Sequence, residues 1–125
     1  MENRCGLDVA LSVVGGKWKP LVLFHLAAGP RRFGELRRLI TGISEKMLIQ
    51  QLRELTEDGM VVRHDYREVP PRVDYAMTAF GCTLAQALEP LCEWGNQNRS
   101  EIAMKLPAAA SAKAIETADQ SRPPA

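Results

Sequence analysis

Thr41-Gly42-Ile43-Ser44-Glu45-Lys46-Met47-Leu48-Ile49-Gln50-Gln51-Leu52-Arg53-Glu54-Leu55-Thr56-Glu57-Asp58-Gly59 decides how the rest of the chain is read. Leu48, Leu52 and Leu55 recur at i, i+4 and i+7, the spacing that puts three side chains on one face of an α-helix. Ser44 stands where its hydroxyl can accept a bond from a free N–H of the first turn. Gly59 stands where a left-handed residue closes the last turn. Glu57 and Asp58 fall at the negative end of the helix dipole, a small local cost. The opposite face carries Lys46, Gln50 and Arg53, again at i, i+4 and i+7, with Ser44, Glu45 and Ile49 around the exposed N-terminal turn. Such a helix buries one side and keeps the other for contact.

Upstream, Phe33, Leu36 and Ile40 give another apolar stripe over about 33–40, and Thr41-Gly42-Ile43 joins the two helices by a short turn containing glycine. A helix before that carries Leu21, Val22, Leu23, Phe24 and Leu26, with Pro20 in its first turn, and ends near Ala28-Gly29-Pro30. The first helix, Leu7 to Val14, is stopped by Gly15-Gly16. Downstream of Gly59 the period changes. Val61–Tyr66 and Val73–Met77 read as two strands, and the charged link Arg67-Glu68-Val69-Pro70-Pro71-Arg72 as a stiff hairpin tip. Thr78 caps a last helix to about Asn98, with Leu84, Leu88, Leu91 and Trp94 as anchors and Pro90 expected to kink or locally break it.

From Ala103 onward eight of 23 residues are Ala and three are Pro, too few large apolar groups to bury a core. The expectation is a mainly α domain with a small β-hairpin over residues 1–102, and a disordered Ala/Pro-rich tail over 103–125.

Composition narrows the function. The 125 residues are 46% hydrophobic and 25% charged, ordinary for a globular domain, and no apolar run approaches the length of a bilayer span. The N-terminus lacks the apolar region and cleavage site of a secretory signal. Cys5, Cys82 and Cys92 form no metal or disulfide pattern, so a cytoplasmic protein without membrane contact is expected. A net charge of +1 hides an asymmetry: residues 31–72 hold nine Lys/Arg against seven Asp/Glu, and residues 73–102 hold one against four.

After the first helix, three helices, a hairpin and a long final helix form the layout of a winged helix-turn-helix. In that frame Lys46 and Arg53 can pair with guanine or phosphate, Gln50 with adenine, and Ile49 with a thymine methyl. Arg31, Arg32, Arg37 and Arg38 are placed to grip the DNA backbone and set register. Arg67 and Arg72 at the wing tip are placed to straddle a minor groove or hold phosphates.

The landmarks Cys5, Gly15-Gly16-Lys17-Trp18, Gly29–Leu36, Ile43–Gly59 and Val69–Tyr75, in that order over about residues 5–97, resemble the HxlR-type regulators, a branch of the MarR-like winged helices. The resemblance implies a homodimer joined chiefly by the first and last helices, acting on nearby genes. It also implies, from several members, sensing of electrophiles or oxidants at the cysteine matching Cys5. Ile49 departs from the family, which usually has a small polar residue there.

Cys5 stays open between a sensor, activated by Arg4 and the helix start, and a small buried packing residue. Cys82 and Cys92, Trp18, Phe33 and Trp94 read as packing, in the core or at a dimer contact. His25 and His64 have no second ligand at useful spacing, and no phosphate loop, HExxH or GxSxG occurs, so neither metal nor cofactor is expected. Three functions compete: a DNA-binding regulator, a winged helix used only for protein contact, and a small enzyme. The polar outer face of 44–58 favours the first, and the third lacks any acid–base or nucleophile pair. The effector is either an electrophile at Cys5 or a non-covalent ligand.

Overall fold

Cys5 opens the described part of the chain, residues 5–105 of a computed structural model, by capping the first helix: its Sγ accepts the Leu7 N–H at 3.2 Å. Helix α1 (Gly6–Val14) ends as Gly15 donates its N–H to the Leu11 carbonyl at 2.8 Å. Helix α2 (Trp18–Leu26) has Pro20 in its first turn, where a missing N–H costs nothing. A two-residue strand β1 (Arg31–Arg32) leads into α3 (Phe33–Leu39). Gly42, at φ 89°, makes the turn to α4 (Glu45–Glu57), whose cap is Ser44 accepting the Met47 N–H at 3.0 Å. Gly59 then turns the chain at φ 78° into β2 (Val61–Asp65), followed by β3 (Val73–Met77), α5 (Ala79–Gln97) and α6 (Arg99–Lys105).

Two compact units divide the chain, one through Ala85 and one from Gln86. In the first, Val22, Leu23 and Leu26 of α2, Leu36 of α3, Ile40, and Leu48, Leu52 and Leu55 of α4 are all buried, with Met60 and Val61. Cutting one such leucine to alanine removes its contacts and leaves a cavity, at a cost of about 2–5 kcal/mol. The stripes of α2, α3 and α4 therefore share one core, and the outer face of α4 is left to solvent.

The sheet is antiparallel in the order β1-β3-β2. Asp74 on the central strand lies opposite Arg32 on one side and His64 on the other. Thr78 fixes the junction after β3: its hydroxyl donates to the Gly59 carbonyl at 2.6 Å and accepts the Gly81 N–H at 2.9 Å. Gly81 is buried so tightly that an added Cβ would fall 2.0 Å from the Met60 carbonyl oxygen. With α3 and α4 as helix-turn-helix and β2–β3 as wing, the first unit is a winged helix.

Several expectations change. Strand β1 was not foreseen and makes the hairpin a three-stranded sheet. Helix α5 is continuous through Pro90, without the local break that was one of the two outcomes expected there. Proline removes the bond to the carbonyl four residues back, and both Gln86 and Pro90 are exposed residues of α5. Beyond Gln97, Asn98 accepts the Ile102 N–H through its carbonyl at 3.0 Å and starts α6, so 103–105 are helical. The remainder of the expected tail, 106–125, lies outside the described residues. Cys82, Cys92, Leu91 and Trp94 are exposed within this chain rather than packed into it. No described helix is long and apolar enough to cross a membrane.

Candidate nucleic-acid interface

The outer face of α4 gathers six of the predicted contact residues. Ser44, Glu45, Lys46, Ile49, Gln50 and Arg53 line one open depression, and all are exposed, Ile49 by 44%. The leucines behind them are sealed, so this face keeps its shape when something docks. Glu45 is not aimed outward alone: its carboxylate lies 3.7 Å from the Arg37 guanidinium of α3, bracing the turn between the two helices.

A second brace lies under the other end of that face. Lys19 of α2 sets its ammonium 2.5 Å from one oxygen of Glu54, and the other oxygen accepts the Gln50 side-chain N–H at 2.9 Å. Lys19 first, and then Gln50, hold the Glu54 carboxyl below the usual glutamate range. This contribution to stability is present above that range and is lost as pH falls through the lowered value.

The wing is organised by Asp74, only 9% exposed. It accepts the Tyr66 hydroxyl at 3.0 Å and lies 3.7 Å from the Arg72 and 3.9 Å from the Arg32 guanidinium. The bond to Asp74, followed by loss of solvation, raises the Tyr66 phenol above its ordinary value. Arg72 lies over the Tyr66 ring, 4.0 Å from its centroid, with its Nε buried and without an acceptor. Expected at the wing tip, Arg72 folds its side chain onto Tyr66 and Asp74 at the tip end of the β2–β3 ladder. Arg67 is exposed on the tip at φ 57°, its N–H held by Asp65 at 2.9 Å.

The other arginines separate by environment. Arg32 and Arg37 are about half exposed, and Arg38 is exposed. Arg31 departs from the expectation: half-buried, it donates its Nε to the His25 carbonyl at 3.0 Å and stitches β1 to α2. Cys5 is exposed, and Arg4 lies outside the described residues. Tyr66, Asp74, Lys19 and Glu54 were not singled out as site residues by sequence. The Gln50–Glu54 spacing of four was a usable signal, whereas Lys19 meets Glu54 only through the fold.

Comparison with known proteins places this arrangement. The model of the HxlR-like helix-turn-helix family matches residues 13–103. The chain belongs to that family. Among HxlR-like relatives, the uncharacterized HTH-type transcriptional regulator YkvN of Bacillus subtilis is 52% identical over 91 residues, 73% of this chain and 77% of its own. The redox regulator HypR in its oxidized form superimposes with a TM-score of 0.72 at 45% identity, covering 75% of this chain and 97% of that one. Diamide-treated YodB of B. subtilis gives a TM-score of 0.65 at 33% identity, covering 76% and 95%. The HxlR-like match runs from the end of α1 into α6, so the depression on α4 and the Asp74 wing both lie inside the family's domain.

Proposed function

We propose that this chain, a helix-turn-helix transcriptional regulator by family, binds double-stranded DNA as a homodimer and reads base edges in the major groove with α4. The two-sidedness of that helix carries the reading: Leu48, Leu52 and Leu55 are buried, while Lys46, Ile49, Gln50 and Arg53 stand exposed on one depression. Two cations, an amide and a methyl-bearing side chain are the groups that distinguish guanine, adenine and thymine in that groove. Arg32, Arg37, Arg38, Arg67 and Arg72 supply phosphate contacts that set register without reading sequence. A protein-contact role for the same face is disfavoured by its polarity.

The test is a gel shift with DNA flanking the protein's own gene, at two salt concentrations. Affinity should fall steeply with salt, because phosphate contacts release counterions. Arg53→Ala and Gln50→Ala should each weaken binding by about 1–3 kcal/mol with unchanged melting temperature. Parent-like binding by both would remove α4 from the reading role.

The regulatory part of the proposal is a response to oxidants or electrophiles through Cys5. An exposed thiol at the positive end of a helix dipole is open to such reagents, and the Leu7 N–H already points at its sulfur. HypR is a redox regulator solved oxidized and reduced, and YodB was solved diamide-treated and reduced, which supports the same chemistry here.

A further inference from the structure

Gln50 carries an amide whose two ends are nearly the same size and opposite in hydrogen-bonding sense. Unrestrained on a helix surface, it presents either end outward and samples several rotamers. Each costs selectivity, because adenine offers N7 as acceptor beside the N6 amino donor, and only one amide orientation matches both.

In this protein the choice is made before any DNA arrives. Glu54 lies one turn beyond Gln50 on α4, and a carboxylate only accepts hydrogen bonds. The Gln50 Nε2 must therefore face it, as the 2.9 Å contact has it, and the carbonyl oxygen must turn away. Reversal would set oxygen against carboxylate. Glu54 is itself held: Lys19, whose side chain is only 14% exposed, takes its other oxygen from the adjoining helix α2. That ion pair fixes the carboxylate and also offsets a negative charge that would otherwise face phosphate. With one Nε2 hydrogen held by Glu54, Gln50 keeps one N–H and its carbonyl oxygen side by side, the complement of adenine N7 and N6–H.

We propose that Glu54, anchored by Lys19, is a positioning residue that presets the Gln50 amide and so makes one position of the DNA site selective for adenine. This rests on α4 being the reading helix, and the two ideas fail in different ways.

The experiment takes the full-length protein and a randomised duplex library. Sites are selected separately with the parent, Gln50→Ala, Glu54→Ala, Glu54→Gln and Lys19→Met, and each protein's affinity is then measured for the parent's site and its single-base-pair substitutions. Melting temperatures show that the variants are folded. The parent should prefer adenine at one position per half-site, and Gln50→Ala should lose that preference. Glu54→Ala should lose it about tenfold at the same position, the scale of one bidentate contact, with discrimination elsewhere unchanged. Glu54→Gln has one acceptor oxygen where Glu54 has two, so with that oxygen on Lys19 its amide N–H faces Gln50 and the adenine preference should be lost as in Glu54→Ala, and Lys19→Met should show a smaller loss confined to that position. Adding Gln50→Ala to Glu54→Ala should cause no further loss there.

Retention of the adenine preference by Glu54→Ala, or a loss spread evenly over all positions, overturns the proposal and leaves α4 as the reading helix. If Gln50→Ala keeps the parent's preference at every position, Gln50 does not read a base, and the role of Glu54 falls with it.

Discussion

Asp74 serves three partners with one carboxylate: a phenol at 3.0 Å and two guanidinium groups near 4 Å, on the middle strand of the wing sheet. A buried charge is tolerated only when neighbours replace its water, and here the neighbours include two residues proposed to hold DNA. Removing it strands the Tyr66 hydroxyl and leaves Arg32 and Arg72 without their common partner. Asp74→Ala should lower unfolding stability by roughly 1–3 kcal/mol in urea titration, the range for losing a hydrogen bond to a charged group. A second effect reads the Tyr66 contact directly. Because Asp74 raises the Tyr66 phenol, the bond contributes fully below tyrosine's ordinary range and is lost as pH rises through the raised value. Asp74→Asn should bring the Tyr66 titration back down, measured as tyrosinate absorbance, with Tyr66→Phe assigning the signal. An unmoved titration would show that Asp74 does not hold the hydroxyl in solution. Little of this was legible beforehand. Arg72 and Arg32 stood out as cations, but their meeting at Asp74 depends on strand register and on β1, whose two arginines carry no strand pattern.

At the scale of elements, local spacing told most where one periodicity dominated. Helix α4 was readable because a leucine stripe, a serine cap and a closing glycine agree on the same boundaries. The start of α5 was half readable: Thr78 was visible as a cap, but its bond to the Gly59 carbonyl spans nineteen positions. Nor does sequence show that Gly81 sits against the Met60 backbone, a close approach that only the folded chain creates. This contact is with backbone, which cannot rotate out of the way. Gly81→Ala should therefore destabilise the protein by about 1–3 kcal/mol or more, the usual scale of overpacking, despite alanine's better helix propensity. Thermal melting decides it: a variant as stable as the parent would mean that α5 starts further from Met60. Pro90 erred in the opposite direction. The residue type argues for a kink or a local break, but α5 is continuous through Pro90, and both Gln86 and Pro90 are exposed, which is a tertiary property.

For the whole molecule, the exposed apolar side chains on its terminal helices need an explanation. Leu7, Val9 and Leu11 of α1 are each more than half exposed, and so are Leu91 and Trp94 of α5. Apolar surface of that kind on a small protein marks a contact surface, and a second copy is the partner that the proposed two-fold DNA reading needs. Cys5 caps the first of these helices, so a modified thiol would act on α1 and on whatever α1 packs against. Diamide offers the direct test, since it removes two thiol hydrogens and joins the two sulfurs. The parent should sediment as a dimer at micromolar concentration, and diamide should change its affinity for its own DNA site, with thiol restoring it. Cys5→Ser should remain dimeric, bind DNA and ignore diamide, because the proposed dimer contact is apolar and the proposed base contacts lie on α4. A parent that sediments as a monomer would remove the dimer from the proposal. A Cys5→Ser protein that answers diamide as the parent does would move the sensor to Cys82 or Cys92. Should neither protein respond, the effector is a ligand that binds without a covalent bond, and Cys5 is left with the single task of capping α1.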